Sequence, residues 1–211
     1  MSEERHKNGK LASKEEVRGH FGQPSHMSVA KELCRLDRHC KDFIALSPFL
    51  VIASANAKGQ CDASPRGDEP GFVATLDDGH LLIPDRKGNN RADSMMNIVE
   101  NSHIGLLFLV PGINESLRVS GRVEITLDPE LLTPLAAGGR LPTSGLLVTV
   151  EKAFFQCGKA GLRSDLWNPD KRVAKGQFPS LGRILADQIA GIGEATTLDE
   201  GIQEKYKTQL Y

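Results

Sequence analysis

The sequence predicts a mostly β domain with peripheral helices, in which six or so antiparallel strands close into a barrel. Short apolar segments recur between residues 49 and 156, and tight turns separate them, as in a series of hairpins. Only a few segments with helical periodicity interrupt these strands. This pattern favours an antiparallel sheet closed into a barrel over a doubly wound parallel sheet, in which strands and helices alternate.

Composition restricts the class of protein further. The 211 residues are enough for one domain with its own core, and 26 basic against 27 acidic residues give a net charge of -1. Such a balance offers no overall attraction for nucleic acid or an anionic membrane. No apolar segment approaches the roughly 18 residues of a membrane span, and the charged N-terminus does not resemble a signal peptide. The four cysteines form no CxxC pair, so we expect free thiols in a soluble, cytoplasmic protein.

Three regions are expected along the chain. Residues 1–27 form a polar leader, residues 28–170 the barrel domain, and residues 171–211 a helical extension of that domain. The barrel domain should begin with an amphipathic helix over residues 29–46, capped by Ser28. At the other end, Leu198, Ile202 and Tyr206 lie four residues apart, and Thr197 with Glu200 has the spacing of a capping box.

The strands are predicted in chain order. "FLVIASAN" and "CDASP" should form one hairpin, and "GFVATL" and "HLLIP" a second one around the turn at residues 77–79. A helix of about ten residues follows, with Ala92, Met95, Met96 and Val99 on one face. The last three strands are "HIGLLFLV", "SLRVSGRVEITL" and "GLLVTVEKAFF".

The segment between "HLLIP" and that helix is the first candidate binding site. Residues 86–91, the basic turn, read Arg-Lys-Gly-Asn-Asn-Arg and precede a helix N-terminus. The first N–H groups of a helix have no partner within it, and the helix dipole adds positive charge there, so phosphates bind readily at this position. A phosphate monoester would suit the basic turn, and a solvated loop capped by asparagine is equally compatible with these residues.

Three segments together resemble a known family. "DASPRGDEPGF", "LLIPDRKGNNRADSMMNIVENSHIGLLFLVPG" and "LRVSGRVEI" are similar to the pyridoxamine 5'-phosphate oxidase-like superfamily of FMN-binding split barrels, over about residues 28–170. The resemblance is strongest to a bacterial branch of FMN-dependent enzymes whose substrates are mostly unassigned. It implies a six-stranded split barrel and a homodimer that binds FMN at the subunit interface.

The resemblance also assigns residues to the cofactor. It implies phosphate ligands in Arg91, Asn89, Asn90 and one of Arg86 or Lys87. Further residues in positions that contact the cofactor in the family are Arg66, Pro84, Asp85 and Ser116.

The chain also departs from pyridoxamine phosphate oxidase itself. The C-terminal Arg-x-His-x-Arg segment that binds the vitamin phosphate in that enzyme is missing, so we expect a different substrate. Lys159, Arg163 and Trp167 lie four apart and would share a face of a helix, where they could position an anionic or planar substrate.

The resemblance implies an FMN-dependent oxidoreductase that acts on a small organic molecule, with NAD(P)H or oxygen completing the cycle. No catalytic side chain can be named, and the six scattered histidines predict no metal site. A flavoenzyme tolerates this lack because the flavin carries the redox chemistry. Two alternatives stay open: a non-catalytic FMN-binding protein that stores, carries or senses flavin, and a split barrel that uses a deazaflavin or haem.

Overall fold

In a computed structural model of the chain, residues 9–211 are described, and the first eight residues of the predicted leader lie outside this range. One compact unit ends at Glu32, and a second one runs from Leu33 to Tyr211. Helices α1 (Lys14–Phe21) and α2 (His26–Ala30) belong to the first unit. Each begins at a serine, Ser13 or Ser25, whose hydroxyl accepts a backbone N–H of the first turn.

The second unit is built around an antiparallel sheet. Its strands are β1 (Phe49–Ala55), β2 (Cys61–Gly67), β3 (Ala74–Thr75), β4 (His80–Asp85), β5 (His103–Leu109), β6 (Ser116–Thr126) and β7 (Ser144–Gln156). Its helices are α3 (Arg38–Leu46), α4 (Asp93–Glu100), α5 (Pro129–Leu132), α6 (Lys159–Ser164), α7 (Leu181–Gln188) and α8 (Ala195–Thr208). Two 3₁₀ turns, Thr133–Leu135 and Pro169–Lys171, complete the described elements of this unit.

The strand order across the sheet is β2-β1-β5-β6-β7-β4-β3, and every neighbouring pair is antiparallel. The predicted mostly β class with peripheral helices is therefore confirmed. The predicted six-stranded closed barrel is not: the sheet has seven strands and stays open, with β2 and β3 at its edges. Strand β3 is short, because only Ala74 and Thr75 of the predicted strand at residues 71–76 pair with β4.

The hydrophobic core combines one face of the sheet with helix α3. Alternate residues of β1, β5 and β6 are buried, as in Leu50 and Ile52 of β1, which is the period expected of a strand with one buried face. Phe43 and Ile44 of α3 join the same cluster. The predicted free thiols are confirmed for Cys40, which is buried in this core, and for the exposed Cys34 and Cys61. Cys157 is also exposed.

The helix predicted over residues 29–46 is confirmed only over its second half, as α3, and is wrong as one continuous helix. Its apolar spacing is shared by two separate features: Leu33 forms a β-bridge with Ala153, and only α3 continues as a helix. Asp37 caps α3 by accepting the Cys40 N–H at 2.8 Å, and this cap starts a new helix at Arg38.

Two further helix predictions need correction. In α4, Ser94 and Ile98 are the buried residues, and Met96 and Val99 of the predicted face are exposed. The hydroxyl of Ser94 is satisfied by Asp62 at 2.7 Å, so a polar residue is tolerated there. The predicted capping box of the C-terminal helix is also wrong, since α8 begins at Ala195, before the box, without a side-chain cap.

The first predicted hairpin is confirmed, and it positions one of the predicted cofactor-binding residues. β1 pairs with β2 from Phe49↔Gly67 to Ala55↔Cys61, which sets Arg66 near the end of an edge strand. In the second hairpin, β3 covers only Leu81 and Leu82 of β4. Pro84, which has no N–H to donate, therefore lies where β4 has a neighbour on one side only, and the basic turn begins two residues later.

Candidate functional site

The basic turn joins the end of β4 to the start of α4. Asn90 and Ala92 have positive φ values of 60° and 55°, so the chain bends sharply at both positions. The side chain of Asn89 supports this bend by accepting the Arg91 N–H at 3.1 Å. Ala92 occupies the N-cap position of α4 and provides no side-chain hydrogen bond, so the first N–H groups of this helix lack a side-chain partner.

A cleft of about 280 Å³ lies over this helix end. It is bordered by β2, the end of β4, the basic turn and the first residues of α4. Of the residues predicted to hold the cofactor, six line this cleft: Arg66, Asp85, Arg86, Asn89, Asn90 and Arg91. The cleft thus contains residues of both β2 and β4, which are not neighbours in the strand order.

Two further cavities flank the basic turn. One, of about 470 Å³, contains Pro84 and Lys87 together with Arg66 and Arg86, and the other, of about 330 Å³, contains Lys87 with Arg140. Lys87 therefore borders both neighbouring cavities and does not line the 280 Å³ cleft.

Arg66 and Arg91, the two other arginines of the cleft, make hydrogen bonds only to residues close to them in sequence. Arg66 donates from Nη1 to Ser64 Oγ at 2.7 Å and to its neighbour's carbonyl at 3.2 Å. Arg91 donates from Nε to Asp93 Oδ2 at 2.7 Å, and its side chain is 72% exposed. An incoming anion can therefore reach both guanidinium groups without disrupting the core.

Three carboxylates lie in the same cleft and balance these charges. Asp62 accepts a hydrogen bond from the Ser94 hydroxyl, and Asp93 accepts one from Arg91 Nε. Asp85 is half-buried, and burial raises the pKa of its carboxyl above the ordinary value, with the charge of Arg66 opposing that rise. Burial thus favours the neutral form of the carboxyl group closest in sequence to the basic turn.

Arg86 is attached to the fold more firmly than the sequence indicated. Its Nε donates to Asp68 Oδ2 at 2.6 Å and its Nη1 donates to the Leu135 carbonyl at 2.7 Å. The side chains of Arg86 and Asp68 are only 16% and 3% exposed. These contacts anchor the start of the basic turn to two other segments of the chain, and a direct role for Arg86 at a phosphate stays a prediction.

Sequence reasoning missed Asp68 and Tyr211. The Tyr211 hydroxyl donates to Asp68 Oδ1 at 2.7 Å, across 143 positions of sequence. Burial alone would raise the pKa of Asp68, but hydrogen bonds from Tyr211, the Glu69 N–H and Arg86 outweigh it and lower the pKa below the ordinary value. No local pattern predicts such a contact, because neither residue belongs to a motif.

The remaining predicted residues lie at the other end of β7. Asp85 pairs with Ser144 at the start of this 13-residue strand, whereas Ser116 pairs with Gln156 at its end. At roughly 3.3 Å per residue, the two ends are on the order of 40 Å apart along the strand. A single chain therefore does not bring Ser116 to the basic turn.

Lys159, Arg163 and Trp167 also follow the end of β7. Lys159 and Arg163 lie on α6, but that helix ends at Ser164, so the predicted shared face does not extend to Trp167. Trp167 instead donates from its indole N–H to the Ile113 carbonyl at 2.9 Å, in the turn between β5 and β6. Their predicted role in binding substrate stays a prediction.

Comparison with known proteins identifies the family. The antiparallel sheet places the chain in the mostly β class, and a family model described as "Pyridoxamine 5'-phosphate oxidase" matches residues 36–157, more than half of the chain. The chain belongs to this family, which confirms the resemblance seen in the sequence. The matched range includes all seven strands and the basic turn, and it ends before α6.

Several solved structures are similar at low sequence identity. HupZ from Group A Streptococcus is 21% identical, with 57% of this chain and 93% of that chain covered and a TM-score of 0.47. An FMN-binding protein from Syntrophomonas wolfei is 10% identical, with 68% and 96% covered and a TM-score of 0.46. A protein from Clostridium acetobutylicum related to general stress protein 26 is 15% identical, with 56% and 85% covered and a TM-score of 0.43. No curated protein matches the chain.

Residues 9–211 contain neither a metal-binding cluster nor a membrane-spanning helix. No group of three or more histidine, cysteine, aspartate or glutamate side chains in this range could hold a metal ion. No helix there has the length and apolar character needed to cross a membrane.

Proposed function

We propose that this protein is an FMN-dependent oxidoreductase and that the 280 Å³ cleft binds the phosphate of FMN. The observation that carries the proposal is the juxtaposition of an uncapped helix N-terminus with two accessible arginines and two asparagines. Backbone N–H groups, guanidinium groups and side-chain amides are the donors that bind a phosphate monoester.

The residues of the cleft fit such a group. Arg91 is paired with one exposed carboxylate, Asp93, and can turn toward a phosphate at little cost because exposed ion pairs are weak. The carboxylate of Asp62 already accepts a hydrogen bond from the Ser94 hydroxyl. The cleft therefore offers an anion the guanidinium groups of Arg66 and Arg91 together with the uncapped N-terminus of α4.

When bound, FMN supplies hydride or electron transfer, and the protein supplies orientation and control of solvent. In our proposal the substrate is a small organic molecule other than pyridoxamine phosphate, and NAD(P)H or oxygen completes the cycle. A homodimer would form the complete site in the cytoplasm, with Ser116 and the α6 residues of a second copy facing the basic turn. The distance between the two ends of β7 supports this arrangement, since one chain separates the predicted ligands.

The first experiment identifies the natural ligand. Denaturing freshly purified protein should release a compound with the mass of FMN and the visible spectrum of an oxidised flavin. Release of haem or a deazaflavin would instead support one of the alternative cofactors, and a colourless protein that takes up no added FMN would contradict the proposal. Flavin reduction by NAD(P)H, or its reoxidation by oxygen, then separates an enzyme from a protein that only stores, carries or senses flavin.

The phosphate assignment is tested by Arg91→Ala. We expect FMN affinity to fall roughly ten- to a hundredfold, because charge-assisted hydrogen bonds to the phosphate are lost. Affinity for riboflavin, which lacks the phosphate, should stay the same. Arg183→Ala is a matched control, since Arg183 is also an exposed arginine paired with an aspartate, Asp187, and lies on α7. Equal FMN affinities of the two variants would contradict the assignment.

A further inference from the structure

We propose that Tyr211 is a positioning residue for the basic turn: through Asp68 it fixes Arg86, and Arg86 fixes the turn that binds phosphate. This inference depends on the proposed FMN site and adds a part of the chain beyond the region matched by the family model. Tyr211 need not touch the cofactor for this role, because it acts on the conformation of the residues that do.

The carboxylate of Asp68 connects the two side chains. Tyr211 Oη donates to Oδ1 at 2.7 Å, and Arg86 Nε donates to Oδ2 at 2.6 Å. The Glu69 N–H also donates to Oδ1, at 2.9 Å. The terminal torsion of an aspartate is otherwise broad, so these donors on both oxygens hold the plane of the carboxylate in one orientation. The orientation of Arg86 is thereby tied to the Tyr211 hydroxyl.

Other contacts hold Tyr211 in place. Its ring lies beside the Arg86 guanidinium, whose carbon is 5.8 Å from the ring centroid. Its main-chain oxygen accepts a hydrogen bond from Arg140 Nη1. Gly138, at a φ of 56°, has no side chain where the ring packs: a Cβ there would lie 2.7 Å from Tyr211 Cδ2. The ring is thus fixed by the loop before β7 as well as by Asp68.

These contacts surround the basic turn rather than the core. Tyr211 lines both cavities that flank the turn, together with Lys87 and Gly88, and it is not a member of the hydrophobic core cluster. Loss of its hydroxyl should therefore release the turn while the sheet stays intact. The basic turn, once released, would occupy the phosphate-binding conformation for a smaller fraction of the time. The apparent affinity for FMN would fall by the same factor.

The test compares Tyr211→Phe with Tyr206→Phe. The chain has two tyrosines, and Tyr206 is 53% exposed on α8, so its variant controls for loss of a tyrosine hydroxyl. Dissociation constants for FMN and riboflavin are measured by flavin fluorescence, and unfolding by denaturant is followed in parallel. We expect Tyr211→Phe to weaken FMN binding roughly three- to tenfold and to leave riboflavin binding unchanged. Tyr211→Ala, which also loses the ring, should weaken FMN binding further, and Tyr206→Phe should bind both flavins like the wild type.

The ratio of the two affinities separates positioning from a general structural role. If Tyr211→Phe weakens FMN and riboflavin equally, or leaves both unchanged, the positioning role is overturned. If the wild type itself does not prefer FMN to riboflavin, the proposed phosphate site fails, and the role of Tyr211 falls with it. A wild type that prefers FMN beside an unaffected Tyr211→Phe variant overturns only the inference about Tyr211.

Discussion

Asp68 is the residue on which the local structure of the site depends most. It lies directly after β2, is 3% exposed, and accepts hydrogen bonds from Arg86 and Tyr211, which come from distant parts of the chain. Replacing a buried carboxylate with its amide keeps the shape but turns one of the two acceptor oxygens into a donor. The amide N–H groups then face either Arg86 Nε or the Glu69 N–H, which also donates to Oδ1 at 2.9 Å, and that donor loses its hydrogen bond.

Asp68→Asn should therefore lower the free energy of unfolding by about 2 kcal/mol at pH 7, the typical cost of losing a hydrogen bond to a charged group. Urea denaturation measures this difference. Asp187→Asn is the control, because the Arg183–Asp187 pair is exposed on both sides and should change the free energy by less than about 1 kcal/mol. Equal effects of the two substitutions would contradict a special role for Asp68.

The same substitution has a pH dependence with a definite sign. The pKa of Asp68 is lowered in the folded state, so the stability it contributes is present above the ordinary value of 3.8 and is lost as pH falls through the folded-state value. The difference between wild type and Asp68→Asn should accordingly shrink in acid. A difference that stays constant down to low pH would mean that the carboxylate charge contributes nothing.

Residue patterns predicted part of this site and could not predict the rest. Asn89, Asn90 and Arg91 were found because they are adjacent in sequence and precede a helix. The Asp68–Tyr211 and Asp62–Ser94 contacts join residues 143 and 32 positions apart, and a hydrogen bond across such a separation leaves no periodic signal. Tertiary packing alone creates these pairs.

At the scale of elements, the sheet contains one irregularity that constrains the sequence. The register of β6 against β7 shifts between Ser120 and Gly121. A Cβ atom on Gly121 would lie 2.0 Å from the Thr149 carbonyl oxygen, which belongs to the paired strand and cannot move independently. Glycine is required at this bulge by the close approach of two backbones.

Gly121→Ala should therefore destabilise the protein by about 3 kcal/mol, because the two longest strands must separate locally to admit a methyl group. Gly105→Ala in β5 is the matched control: its Cβ would meet Ala53 Cβ at an ordinary 3.7 Å. The control should keep or slightly raise stability, since alanine is favoured over glycine in a strand. Denaturant unfolding of both variants decides the matter, and similar free energies would contradict the argument.

Elements with a single strong signal were predicted well, and elements with competing signals were not. β1 and β2 alternate and flank a glycine turn, so their hairpin was found. The continuous helix predicted at residues 29–46 was wrong because Leu33 has helical spacing but does not lie in a helix. Leu33 pairs with Ala153 through backbone hydrogen bonds of 2.9 and 2.8 Å. The sequence also could not predict that the sheet stays open, with β2 and β3 at its two edges. The number of strands does not determine whether a sheet closes.

At the scale of the whole molecule, the separation of the predicted ligands along β7 has a consequence for assembly. The basic turn lies at one end of this strand, and Ser116 lies at the other. In the proposed homodimer each site would take the basic turn from one copy and Ser116 from the other. Two chains with different defects can then restore one intact site, as symmetric interfaces with shared sites allow.

Chains with Arg91→Ala and Ser116→Glu, each carrying a different affinity tag, should complement each other when expressed together. In the isolated heterodimer, one of the two sites would have both defects and the other would have none. We expect FMN titration to find one high-affinity site per heterodimer, at a concentration where each variant homodimer stays mostly empty. Pairing Arg91→Ala with Asn89→Asp is the control, because both changes lie in the basic turn and every site keeps one defect. Heterodimers of the first pair that bind no more FMN than this control would show that each site is built from a single chain, and the proposed placement of Ser116 at the cofactor would be wrong.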